Sequence, residues 1–162
     1  MPRIGASWIW PLPYAFGNPT VIRTVDDERC GVDLGYERPL PEPIFLPVYA
    51  VQAGEVSFAG ETDTGYGASI DHGKWCTHYG HMKQMFVTRN LGRVRRRARV
   101  RAGDVIGYAS EHPVHLRFEL WQRAVTGGFK AVHPAAHLAS WLVMPTLSTA
   151  TPSAATANSE AA

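Results

Sequence analysis

Short runs of strand length, each bounded by glycine or proline, recur from position 48 onward and constrain this chain more than any other feature. They lie at 48–51, 55–59, 68–72, 75–81, 97–101, 105–109 and 114–122. Glycine turns at that spacing predict antiparallel β-structure. Upstream, Pro39, Pro41, Pro43 and Pro47 fix φ and remove backbone donors, which predicts an extended loop and excludes helix there. Residues 1–28 are rich in aromatics and proline, with a turn-like Gly17-Asn18-Pro19. They are expected to be irregular chain and short strands packed on the domain. Helix is predicted only at 134–142, with Pro134 in its first turn. The expected fold class is mainly β with little helix, in one domain over 29–144. Beyond Met144 no large apolar residue follows Leu147, which predicts a disordered tail over 145–162.

Composition sets the other bounds. A chain of 162 residues that is 45% hydrophobic can bury one good core. Its formal net charge of +2 does not by itself imply a nucleic-acid partner. Cys30 and Cys76 are the only cysteines, too few for a disulfide scaffold. They are expected to be small buried thiols, and a bridge between them depends on the folded geometry. The first eleven residues have no continuous apolar core and are interrupted by prolines, unlike a secretory signal. No window is long and apolar enough to span a bilayer. The expectation is synthesis in the cytoplasm without a signal peptide, with any action outside depending on a particle or a lysis event.

The stretch His115-Leu116-Arg117-Phe118-Glu119 carries the chemistry. Residues two apart on a strand point to one face, so an H-x-H pair would offer two imidazoles to a zinc ion. Here the second position is arginine, which has donors but no lone pair and cannot ligate a cation.

Six further segments accompany it in fixed order. Arg29-Cys30-Gly31-Val32-Asp33 stands against H-x-G-x-D, and Pro47-Val48-Tyr49-Ala50-Val51-Gln52-Ala53-Gly54-Glu55-Val56 against P-V-x-A-x-x-x-G-x-V. Gly65-Tyr66-Gly67 precedes Asp71-His72-Gly73, and Thr77-His78-Tyr79-Gly80-His81-Met82 matches T-x-Y-x-H-L. Val100-Arg101-Ala102-Gly103-Asp104-Val105-Ile106-Gly107 matches V-x-x-G-x-x-I-G, and His133-Pro134-Ala135-Ala136-His137-Leu138 echoes D-P-x-x-x-L. Taken together, residues 29–138 resemble the M23 family of zinc endopeptidases, the LytM or lysostaphin type that cleaves peptide crosslinks in bacterial cell walls.

The resemblance implies an antiparallel β-sheet domain, an open barrel or sandwich-like arrangement. It also implies zinc held by the histidine and aspartate of H-x-G-x-D and by the second histidine of H-L-H-F-E. The histidine of T-x-Y-x-H and the first histidine of H-L-H-F-E would assist proton transfer. On this chain Asp33, His81 and His115 match the motif, while Arg29 and Arg117 stand at both histidine-ligand positions. The expectation is therefore a catalytically inactive domain with no cofactor, with His81 and His115 as remnants of the catalytic pair. Asp33 is expected to bridge Arg29 and Arg117 in place of a metal, since arginine and carboxylate pair well. An active zinc endopeptidase with non-standard ligands stays open as the alternative, with His112 as a reserve ligand. Cys30 is expected to face away from Arg29, and His72, His78, His133 and His137 are read as surface or edge side chains.

Arg93, Arg95, Arg96, Arg97 and Arg99 lie in a basic stretch over 89–101, where the family has a shorter link. It reads as a solvated hairpin or as a contact for an acidic partner protein. No interleaved aromatics support base stacking, so nucleic acid is disfavoured. The partners expected are the structural proteins of a particle, such as a phage tail or related injection machine, and peptidoglycan. Activation of another wall hydrolase is a further possibility.

Overall fold

The computed structural model describes residues 8–24, 28–38, 40, 45–83, 86–87, 92–93, 95–109 and 115–145. The disordered-tail expectation for 145–162 falls almost wholly outside them, and so does His112. The elements in chain order are β1 (Thr20–Thr24), β2 (Val32–Gly35), β3 (Leu46–Tyr49), β4 (Gly54–Thr62), β5 (Gly65–Asp71) and β6 (Trp75–Met82). They continue with β7 (Phe86–Val87), β8 (Gly92–Arg93), β9 (Arg99–Val100), β10 (Val105–Ala109), β11 (Leu116–Arg123), β12 (Phe129–Val132) and α1 (Ala135–Leu138).

One open antiparallel sheet dominates, in the order β1-β2-β11-β6-β5-β4-β9. One edge of β11 serves two partners: Leu116, Arg117 and Phe118 pair with β2, while Leu120 to Arg123 pair with β12. A second pair, β3 with β10, and a short pair, β7 with β8, lie off this sheet.

Period-two alternation decides what each face carries. On β11, Leu116, Phe118 and Leu120 are buried; Thr77 and Tyr79 on β6, Ala68 and Ile70 on β5, and Val32 and Leu34 on β2 are buried likewise. Most of these side chains join Leu46, Val48, Ile106 and Ala109 of the β3–β10 pair in one core, closed by Leu12, Ala15 and Leu138. The residues between them, Asp33, Ser69, Cys76, His78, Arg117, Glu119 and Trp121, therefore turn to the opposite face. That face holds the candidate site.

One sequence expectation, the extent of the helix, needs correction. The helix ends after one turn, at Leu138, and Pro134 is its N-cap rather than a residue of its first turn. Beyond it turn bonds from Ser140 to His137 and from Trp141 to Leu138 lead to Leu142, which is held by backbone bonds to Trp8 and Trp10. In the N-terminal segment lies one short strand, β1; β12 was not foreseen. Of the basic stretch, Arg95, Arg96, Arg97 and Arg99 are exposed. Arg96 and Arg97 form a tight turn ahead of β9, which carries Arg99, with Arg97 at φ 73° and its N–H donating to Val56.

Candidate functional site

Register places a row of side chains across the exposed face. Arg23 pairs with Asp33 across β1 and β2, Asp33 with Arg117 across β2 and β11, and Arg117 with Gly80 across β11 and β6. A second row, one pleat along, runs Glu119, His78, Ser69 and Phe58 across β11, β6, β5 and β4. The rows are joined by Arg117, whose Nε donates to Glu119 Oε2 at 3.1 Å.

The expected clasp of Asp33 between two arginines is not what forms. Asp33, only 4% exposed, accepts from Arg23 Nε at 2.9 Å, with Arg23 Nη2 at 2.8 Å from the same oxygen. Arg29 and Arg117 converge on Glu119 instead, at 3.8 Å and 3.1 Å. Two geometric facts explain the exchange. Glu119 is two residues from Arg117 on one strand, hence on one face, and Arg23 is the register neighbour of Asp33 on its other side. Glu119 is 3% exposed, and its second oxygen accepts from Trp121 Nε1 at 3.1 Å.

Gly31 makes room for this arrangement. A Cβ there would lie 2.5 Å from Arg117 Cζ, so the guanidinium is pressed on the backbone of the loop that carries Arg29. A Cβ at Gly80 would lie 3.3 Å from Arg117 Cβ. These two glycines flank the arginine, one from β6 and one from the loop before β2.

His81 and His115 do come together, with ring centroids 4.7 Å apart and planes at 54°. His81 adopts φ 64° and Cys30 φ 53°, left-handed conformations unusual for side chains other than glycine, asparagine and aspartate. Such outliers gather at functional sites. Cys30 and Cys76 are both free thiols, so no bridge forms. Burial, with Asp71 adding to it, pushes the Cys76 thiol up to about 11, so it is a protonated group rather than a nucleophile.

Two histidines read from sequence as surface side chains are built into the structure. His78 bonds through Nδ1 to Ser69 Oγ at 2.8 Å. Burial lowers its pKa from the ordinary imidazole value; Glu119 opposes that shift, and Arg29 and Arg117 add to it. His72 bonds through Nδ1 to the Ala53 carbonyl and through Nε2 to Thr77 Oγ1, both at 2.8 Å. Thr77 in turn meets the Tyr79 hydroxyl at 2.8 Å, and that hydroxyl accepts from the Val51 N–H at 3.1 Å. A sequence signal was present for His78, which lies between the fully buried Thr77 and Tyr79 on β6, but pattern alone pairs neither histidine.

The second row opens into a cavity of about 440 Å³. Arg29, Ser57, Ser69, Cys76, His78 and Glu119 line it, together with the aromatic Phe58, Trp121 and Phe129. Trp121, Phe58 and Phe129 were not singled out from sequence. Among the described residues, no three His, Cys, Asp or Glu side chains are grouped as a metal-binding set.

The family model described as Peptidase family M23 matches residues 31–133. The chain belongs to peptidase family M23. Its fold is that of solved M23-type structures. A putative glycyl-glycine endopeptidase LytM from Ruminococcus gnavus superposes with TM-score 0.59 at 18% identity, covering 88% of this chain and 65% of that one. Lysostaphin, the antimicrobial peptidase from Staphylococcus simulans, gives TM-score 0.55 at 18% identity, covering 84% and 55%. A zinc-containing peptidase from Vibrio cholerae gives 0.52 at 19%, covering 70% and 36%. The M23 chain thus spans less than two thirds of each of these structures. No curated protein sequence matches it. No helix among the described residues is long and apolar enough to cross a membrane.

Proposed function

We propose that this M23 domain does not hydrolyse peptide bonds and serves as a structural, peptidoglycan-contacting part of a phage tail or related injection particle. The observation that carries this reading is the pairing of Arg117 with Glu119 over Gly31. A zinc site needs lone pairs from several side chains, and guanidinium offers none. Two of the three motif ligand positions hold arginine, and the third, Asp33, is already engaged by Arg23. The donors present do not fit a zinc ion, and the guanidinium of Arg117 supplies positive charge beside the first row in its stead.

In this reading the protein reaches the wall as part of the assembled particle. The exposed Arg95, Arg96, Arg97 and Arg99 face an acidic surface of a neighbouring particle protein. The test is direct. Protein purified without chelator carries no stoichiometric zinc and leaves purified peptidoglycan intact, yet cosediments with it; turnover abolished by EDTA overturns the reading.

One observation favours a second reading, an active zinc endopeptidase with non-standard ligands. The His81 and His115 rings keep the close approach that a proton-transfer pair needs. EDTA-sensitive turnover that also disappears in His115→Ala would establish it.

A further inference from the structure

The cavity on the second row has features that the loss of metal ligands does not explain. Its position comes first. It lies on the face of a sheet whose backbone donors and acceptors are spent in the ladders between β11, β6, β5 and β4. An extended peptide recognised by its main chain needs a free strand edge, and this face offers side chains only. Its size follows. A cavity of about 440 Å³ lies within the roughly 300–1,000 Å³ typical of small-molecule sites.

The lining then narrows the ligand. Phe58 and Phe129 are 40% and 36% exposed, and both stand at the cavity with Trp121. Aromatic faces at a wet opening suit a ligand with an apolar face of its own. The floor is hydroxyl and imidazole: Ser57, Ser69 and His78, groups that both donate and accept. The one carboxylate lining the cavity has an oxygen bonded to Arg117 and the other bonded to Trp121. A ligand ammonium would have to displace a guanidinium or an indole N–H to reach it.

We infer that this cavity seats a pyranose ring of a neutral saccharide, one sugar face against the aromatic walls and its hydroxyls on the Ser57, Ser69 and His78 floor. A ring is flat enough to lie on a sheet face, and it carries CH groups on its faces and hydroxyls round its edge. The inference rests on the proposed contact with peptidoglycan and deepens it, assigning that contact to the glycan strand rather than to the peptide.

Isothermal titration with a soluble N-acetylglucosamine tetramer, and separately with a soluble wall stem peptide, tests it alongside cosedimentation with intact peptidoglycan. The tetramer binds the wild-type chain. Trp121→Ala and Phe58→Ala each weaken it about tenfold or more, as expected for a lost stacking partner, while Trp121→Phe restores most of the affinity with circular dichroism unchanged in all three. Phe58 is substantially exposed, so its variant keeps the test open if the Trp121 variants fail to fold. Cosedimentation without tetramer binding overturns the saccharide site and leaves wall contact standing. Tetramer binding insensitive to both alanine variants, or displaced by the stem peptide, also overturns it. Tetramer binding that follows the expected variant pattern without cosedimentation supports the site and overturns wall contact.

Discussion

Arg117 and Glu119 stand two residues apart on one strand and pair with each other on its exposed face, Nε to Oε2 at 3.1 Å. The arginine at a motif ligand position thus finds its counter-charge within its own strand. Glu119 is almost fully buried, so the pair is also what makes a buried carboxylate tolerable on this sheet.

Arg117→Met should therefore destabilise the fold more than Glu119→Gln does. The first leaves a buried carboxylate with Trp121 and the distant Arg29 for company; the second leaves Arg117, whose side chain is 13% exposed, nearer to water. A loss of about 2–4 kcal/mol for Arg117→Met is expected, from the cost of stranding one member of a buried pair. Urea unfolding of the two single variants and the double variant measures the coupling. A double variant as damaged as the sum of both singles would show that the pair contributes no coupling.

Restoring the histidines alone should give only a weak metal site. In Arg29→His with Arg117→His, Asp33 still has Arg23 on its carboxylate at 2.9 Å. Adding Arg23→Ala releases that oxygen, and zinc affinity should rise about tenfold or more, the scale on which groups bonded to ligands act. Competition against a chromophoric chelator reads the difference. Equal affinity in the double and triple variants would show that Arg23 does not hold Asp33 away from the metal.

How much of this was legible in the sequence follows from the range of each interaction. The core strands β4, β5, β6, β10 and β11 were readable because alternation and glycine turns are local signals, and the M23 motifs located His81, His115, Asp33, Arg29 and Arg117. The partner choices were not readable. Arg23 reaches Asp33 through the pairing of β1 with β2, and nothing in the sequence around Arg23 announces a strand partner ten residues on. Glu119 was the nearer miss: period two puts it on the face of Arg117, but its place inside the H-L-H-F-E motif carries no sign of an ion pair. Trp121, one more pleat along, follows from the same count. His78 looked like an edge side chain because groups that act on it, the Phe58 ring and the Arg29 charge, arrive from elsewhere in the chain.

Tyr79→Phe should cost about 1–3 kcal/mol, more than its single lost oxygen suggests. The hydroxyl is fully buried and accepts from the Val51 N–H while bonded to Thr77. Removing it strands a buried backbone donor. Thermal unfolding checks the size of the loss, and amide exchange checks its place, since protection at Val51 should fall first. A neutral substitution would mean that water replaces the hydroxyl there.

Acid should weaken the fold through His72 and His78. Burial is the main cause that holds both below the ordinary imidazole value of 6.5 in the folded chain, so the unfolded chain takes up protons first as pH falls. Stability is then full above about 6.5, declines below it, and stops declining from this source once pH passes the depressed folded-state values. His72 is held through Nδ1 on the Ala53 carbonyl and through Nε2 on Thr77 Oγ1, both at 2.8 Å, so a change in its protonation acts directly on the buried Thr77–Tyr79 pair. Urea melts at pH 7.5 and at pH 5 should differ in the wild type, and His72→Gln should flatten that difference. An unchanged slope in both His72→Gln and His78→Gln would place the acid sensitivity on other groups.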